Sequence, residues 1–176
     1  MKKSLTLFLL LAALAITANA QKKPAGNFFN LAIQGAMPVS NNEYNFGIGI
    51  SGQFEIPVST DVHFTAGAGY ISLQIKDSFK KILSAAGDNS SSHGFIPVQI
   101  GIKYFLSQQF YAAAQTGAVL GSKSGTGTAF IYSPGLGCVI PVQNGNAFDI
   151  GVRYEGWAQS NSLNFIGVHA AFKFGL

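Results

Sequence analysis

The sequence predicts an all-β protein: a single closed antiparallel β-barrel of eight strands that spans a membrane. Three observations lead there. Apolar residues make up 48% of the 176-residue chain and charged residues only 10%, with 21 glycines, which is too apolar for disorder and too short for more than one domain. No run of 18 or more apolar residues follows the N-terminal segment, so helical spans are not expected. Ile, Val, Phe and Tyr instead recur at every second position, the spacing that turns one strand face to lipid and the other to a polar interior.

The chain opens on a targeting pattern. Met1-Lys2-Lys3-Ser4 is basic, residues 5–16 are almost continuously apolar, and Ala18-Asn19-Ala20 has small residues at both specificity positions. Residues 1–20 therefore read as a cleaved secretory signal peptide, followed by a short tail over 21–26 and the barrel over 27–176. The only cysteine is Cys138, which excludes an intrachain disulfide and a lipidated N-terminal cysteine. Without Lys2 and Lys3 the chain carries nine basic and seven acidic residues. Its lysines lie mostly in tails and loops, so nucleic acid is not an expected partner.

The strands follow in order. Residues 27–36 form the first. In the second, Tyr44, Phe46, Ile48, Ile50, Gly52, Phe54 and Ile56 alternate with Asn45, Gly47, Gly49, Ser51, Gln53 and Glu55. In the third, residues 62–75, the outward set Val62, Phe64, Ala66, Ala68 and Tyr70 gives way to Ile71, Leu73 and Ile75 on the opposite parity; a β-bulge near Tyr70 would reconcile the halves. The fourth sets Ile96, Val98, Ile100, Ile102 and Tyr104 against Gln99, Gly101 and Lys103, with Pro97 marking its start or an irregularity. Residues 110–120 and 128–140 form the fifth and sixth. Phe148, Ile150, Val152 and Tyr154 oppose Asp149, Gly151, Arg153 and Glu155 in the seventh. The eighth sets Ile166, Val168, Ala170, Phe172, Phe174 and Leu176 against Gly167, His169, Ala171 and Lys173.

Short turns at 57–61, 107–109 and 141–147, the last with Asn144-Gly145, alternate with mostly longer connections at 37–43, 76–93, 121–127 and 159–164. An even strand number brings both ends of the barrel chain to the turn side. Within loop 76–93, Phe79, Ile82, Leu83 and Ala86 have helical spacing, with Ser78 as N-cap and Gly87 as stop. Lys76, Lys80 and Lys81 beside that apolar stripe are expected to meet lipopolysaccharide phosphates or another anionic surface, with a solvated loop as the alternative.

Charge placement decides the solvent. Ten of the 16 charges outside the leader lie in the tail, turns and loops. The other six, Glu55, Lys103, Asp149, Arg153, Glu155 and Lys173, all share parity with the glycines and glutamines, opposite the Ile, Val and Phe face. A cation on the lipid face would cost about 2–4 kcal/mol at the midplane. Eight strands enclose room for side chains only, so the six are expected to pair and plug the lumen, with a gated ion path through the same residues as the alternative. Aromatic residues near both strand ends fit interfacial belts.

The Ala18-Asn19-Ala20 leader, the segment Ile96-Pro97-Val98-Gln99-Ile100-Gly101-Ile102-Lys103-Tyr104-Phe105 and the final Ala171-Phe172-Lys173-Phe174-Gly175-Leu176 together resemble the small outer-membrane β-barrel family, the OmpX type and the membrane domain of OmpA, in its bacteroidete-type form. The family's usual terminal Phe is Leu176 here. The resemblance implies export to the periplasm and residence in a bacterial outer membrane, in contact with its lipids and lipopolysaccharide. It also implies a monomer with a structural or surface-interaction role and a surface ligand at loop 76–93. A transporter or narrow channel for small hydrophobic molecules or ions is the alternative, and a loop-based lipid-modifying enzyme the third reading. Only Asp88, Ser90, Ser91, Ser92 and His93 could serve the last, and a solvated loop is their simpler reading. No catalytic residue, cofactor or metal is expected: His63 and His169 face inward without a ligand spacing. The Gly47-Ile48-Gly49, Gly67-Ala68-Gly69 and Gly135-Leu136-Gly137 triplets lie within strand patterns, without the helix a phosphate loop requires.

Overall fold

The computed structural model describes residues 26–39, 43–85, 90–122, 127–158 and 162–176. The expected signal peptide, the tail up to residue 25, and Asp88 and Gly87 lie outside the described residues. Among the described residues eight strands close into one barrel in sequence order: β1 Phe28–Pro38, β2 Tyr44–Pro57, β3 Val62–Ile75, β4 Ser92–Phe105, β5 Phe110–Gly121, β6 Thr128–Pro141, β7 Ala147–Ala158 and β8 Leu163–Gly175. Every neighbouring pair is antiparallel. The ring closes where β1 pairs with β8, from Phe28↔Gly175 to Pro38↔Phe165. Closure satisfies every edge, the condition for a sheet surrounded by hydrocarbon.

Turn chemistry sets the hairpins. Between β6 and β7, Asn144 and Gly145 adopt φ of 63° and 74°, the left-handed pair that Asn-Gly accommodates best. After β2, the Ser59 hydroxyl accepts from the Val62 N–H at 3.1 Å. After β4, the Ser107 hydroxyl accepts from Phe110 N–H, also at 3.1 Å.

The outer wall is apolar where a water-soluble barrel would be polar. Leu31, Ile33, Ile48, Ile50, Phe54, Val98, Ile100, Ile102, Leu136, Ile150, Val152 and Val168 are 46–67% exposed. These side chains girdle the barrel, far beyond the few hundred Å² of contiguous apolar surface that a water-soluble monomer displays. The barrel is therefore a transmembrane one, spanning with its strands.

Toward the loop side the polarity inverts. Ile71, Leu73 and Ile75 are 0–4% exposed, while Ser72 and Gln74 between them face outward. The expected bulge near Tyr70 is absent: β3 keeps one register with β4 from Val62↔Tyr104 to Gln74↔Ser92. The change of parity in the sequence is a change in which face of β3 is apolar: above Tyr70 its inward side chains fill the barrel interior as in a soluble protein, while outward residues of the neighbouring strand such as Phe46, opposite Gln74, stay apolar and exposed. Tyr44, Ile71, Leu73, Ile75, Phe95, Val119, Ala129, Ile131, Trp157, Leu163 and Phe165 form this upper core.

Other details also depart from expectation. The irregularity of this hairpin lies in β2, where register shifts between Tyr44 and Phe46. One extra residue there turns Tyr44 inward, where it is 6% exposed, and not outward with Phe46. Pro97 sits inside β4, which already begins at Ser92, and pairs with Val119 on its β5 side. Loop 76–93 contains helix α1, Asp77–Ala85. The Lys76 carbonyl accepts from the N–H groups of Phe79 and Lys80 at 2.9 Å, so Lys76 occupies the capping position and Ser78 lies within the first turn.

Candidate functional site

Period two sends every second side chain of each strand into the lumen, and the interior forms layers along the barrel axis. The turn-side layer is ionic. Glu55 of β2 is 0% exposed, Asp149 of β7 1%, and Lys103 of β4 and Lys173 of β8 each 3%. Lys103 Nζ donates to Asp149 Oδ2 at 2.5 Å and to Glu55 Oε2 at 3.1 Å. Lys173 Nζ donates to Glu55 Oε1 at 2.5 Å and lies 4.0 Å from the Phe28 ring centre. His63 Nδ1 stands 2.5 Å from Glu55 Oε1, Asn30 Nδ2 donates to Glu55 Oε2 at 3.2 Å, and the Tyr111 hydroxyl donates to Asp149 Oδ1 at 2.6 Å.

Two anions and two lysines thus neutralise one another, and each carboxylate also accepts from neutral or titratable donors, as desolvated charges require. Tyr111 reaches Asp149 because its cross-strand partner is Gly137, where any β-carbon would meet the phenol ring. Tyr111→Phe is expected to cost about 1.5–3 kcal/mol, the worth of a hydrogen bond to a charged group. Chemical unfolding in lipid vesicles measures it, and an unchanged midpoint would remove Tyr111 from the layer.

Arg153 and Glu155 sit higher on β7 and pair with each other. Arg153 Nε donates to Glu155 Oε2 at 2.7 Å, and Arg153 Nη2 donates to the Gln34 side-chain carbonyl. Glu155 Oε1 accepts from the Trp157 indole N–H at 2.7 Å, tying this pair to the upper core, where Trp157 contacts Phe95 and Phe165 at ring-centre distances of 4.9 Å. The six charged residues singled out from sequence all stand in the lumen, but in two groups. His63, Asn30, Tyr111, Gln34 and Trp157 complete those groups, and parity alone does not reveal them.

At the loop side, Phe79 of α1 packs against the upper core. Lys80 Nζ donates to Asp77 Oδ1 at 2.9 Å, which holds the Asp77 carboxyl below its usual range. Lys81 is exposed and Lys76 half-buried. The basic face is thus partly neutralised by its own helix. His93 does not stand beside a catalytic acid in the described residues: its Nδ1 is 2.9 Å from the Tyr44 hydroxyl, at the top of the upper core. Among the described residues no group of three His, Cys, Asp or Glu side chains is placed to hold a metal ion.

No protein-family model matches the sequence, and no curated protein does. In three dimensions the chain is similar to Ail, the attachment invasion locus protein of Yersinia pestis (TM-score 0.57, 14% identity, 85% of this chain and 99% of Ail). It is also similar to neisserial surface protein A (TM-score 0.57, 14% identity, 88% and 100%) and to the outer membrane protein AlkL (TM-score 0.52, 11% identity, 88% and 93%). Ail has also been solved in complex with the heparin analogue sucrose octasulfate. At these identities the likeness is one of fold: an eight-stranded barrel of the bacterial outer-membrane type.

Proposed function

We propose that the protein is a non-enzymatic resident of the bacterial outer membrane, whose lumen is a structural plug and whose loop side engages anionic lipopolysaccharide. The observation that carries the first part is the filled lumen: an ionic layer drawn from seven of the eight strands lies below an apolar core drawn from seven. Side chains that satisfy one another across the lumen leave the outer surface and the loops to act. The placement in the bacteroidete branch rests on the sequence resemblance alone.

The second part rests on α1. Phe79 packs it against the upper core, and Lys76, Lys80 and Lys81 outnumber Asp77, the one acid of α1 itself, beside a membrane whose outer face presents phosphates. Ail, with the same fold, has been solved with a polyanion, which supports the reading without fixing the ligand. Replacing all three lysines with Gln is expected to weaken binding to lipopolysaccharide micelles several-fold at low salt, and less so at high salt. Unchanged binding at both salt concentrations would overturn the assignment. The folded barrel is verified by its electrophoretic migration before and after boiling.

A further inference from the structure

At the turn side the barrel ends in an open bowl of about 570 Å³, within the size range of small-molecule sites, which favour barrel mouths. Phe105, Val139, Val142 and Ala147 make its walls apolar, and its floor is the lower face of the ionic layer, where Lys173 and His63 reach it. His63 is 7% exposed and lies between two rings: Phe28 stacks 6.3 Å away at 10°, and Phe105 stands 4.7 Å away at 51°. Its Nδ1 is 2.5 Å from Glu55 Oε1, an oxygen that only accepts, so Nδ1 carries the proton. Two lysines already balance Glu55 and Asp149, which leaves no anion there to match a second proton on the ring. Among the described residues His63 has no other hydrogen-bond partner, and Nε2 is a lone pair left to the bowl.

That acceptor defines the occupant. A carboxylate or phosphate finds no free cation at the floor, because the Lys173 ammonium is committed to Glu55 at 2.5 Å and to the Phe28 ring at 4.0 Å. An ammonium ligand would stand beside that same lysine. Asp61, at the rim, is exposed and keeps its hydration, so it requires no charged partner. An ether, a ketone or a hydrocarbon has no proton to give. An uncharged N–H or O–H on a flat apolar body satisfies Nε2 and lays the rest of its surface on Phe105 and the aliphatic wall.

We propose that the turn-side bowl is a binding site for a small uncharged aromatic molecule that donates one hydrogen bond, of the indole or phenol type. The ring lies against Phe105 and Val139, and its N–H or O–H donates to His63 Nε2. The site is at the opposite end of the barrel from α1, so loss of lipopolysaccharide binding and loss of this site are separate results.

The test needs no variant. The chain without residues 1–20 is placed in nanodiscs with isotope-labelled histidine, and its three histidines report separately: His63 at the bowl, His169 in the mid-lumen and His93 at the top of the upper core. Indole is expected to shift the His63 Nε2 resonance in the direction of a lone pair that accepts a hydrogen bond, and to leave His93 and His169 unmoved. N-methylindole keeps the rings and loses the donor; it is expected to bind at least about threefold more weakly, although it enters lipid more readily. No shift at His63, equal affinity for the two probes, or equal shifts at all three histidines, the mark of partition into the bilayer, would each overturn the site. A protonated Nε2 in the free barrel would remove the acceptor and overturn it as well. Contacts from residues 21–25 to the Phe105 ring would make the chain's own tail the occupant, with the same result.

Discussion

Glu55→Gln is expected to lower the unfolding free energy by about 3–5 kcal/mol, the cost of removing one partner from a buried ion pair. The size follows from what remains. Glu55 is the only anion Lys173 contacts among the ion pairs described, at 2.5 Å, and the second anion of Lys103. With Gln in its place two ammonium groups would share Asp149 in a region shielded from water. The isosteric amide preserves packing, so the loss reports charge and not volume. Urea unfolding in lipid vesicles, followed by the fluorescence of the single tryptophan Trp157, measures it. Adding Lys173→Met removes the stranded cation and is expected to restore at least half of the loss. A loss below about 1 kcal/mol, the value of a solvated surface pair, would mean that water reaches the layer and that it is no plug.

The polarity inversion along β3 carries the second large effect, because equal substitutions should differ by height. Ile100, 51% exposed on the outer wall, lies in the apolar girdle, and Ile100→Lys is expected to cost about 2–4 kcal/mol. Gln74 also faces outward but beside the buried Leu73 and Ile75; Gln74→Lys is expected to cost no more than about 1 kcal/mol, as near an interface. Leu73 is 0% exposed, and Leu73→Ala there is expected to cost about 2–5 kcal/mol, as in any packed protein interior. The same unfolding measurement compares all three. If Gln74→Lys proved as costly as Ile100→Lys, hydrocarbon would cover the upper wall and the inversion would need another cause.

The eight strands and the placement of six charges in the lumen were legible because a period of two with a single solvent on each face leaves a plain trace. Ile71, Leu73 and Ile75 point to a bulge only if the apolar face of a strand stays the same along its whole length. Parity does not slip; the inward face of β3 turns from polar to apolar where it enters the upper core. The bulge that does exist, at Asn45, left no such trace, since Tyr44 and Phe46 are both aromatic and either direction suits them. Ser78 is a good capping residue by type, but the chain enters α1 two residues earlier, where the Lys76 N–H is already held by the Glu43 carbonyl at 2.8 Å. The contacts of the ionic layer were legible only as a set. Which lysine meets which acid depends on strand register, and the residues it joins, such as Glu55 and Lys173, are 118 positions apart.

The seam between β1 and β8 also constrains the order of assembly. Asn27 accepts from Leu176 through its backbone carbonyl at 2.8 Å, and Phe29 lies opposite Phe174, so the earliest strand waits for the latest before its outer edge is satisfied. Until then the seven sequential hairpin pairs can zip one after another, but the cylinder stays an open ribbon with two bare rims in an environment that tolerates none. Insertion and closure are therefore coupled events, and trimming a few residues from the C-terminal end would arrest the ribbon at its last stitch.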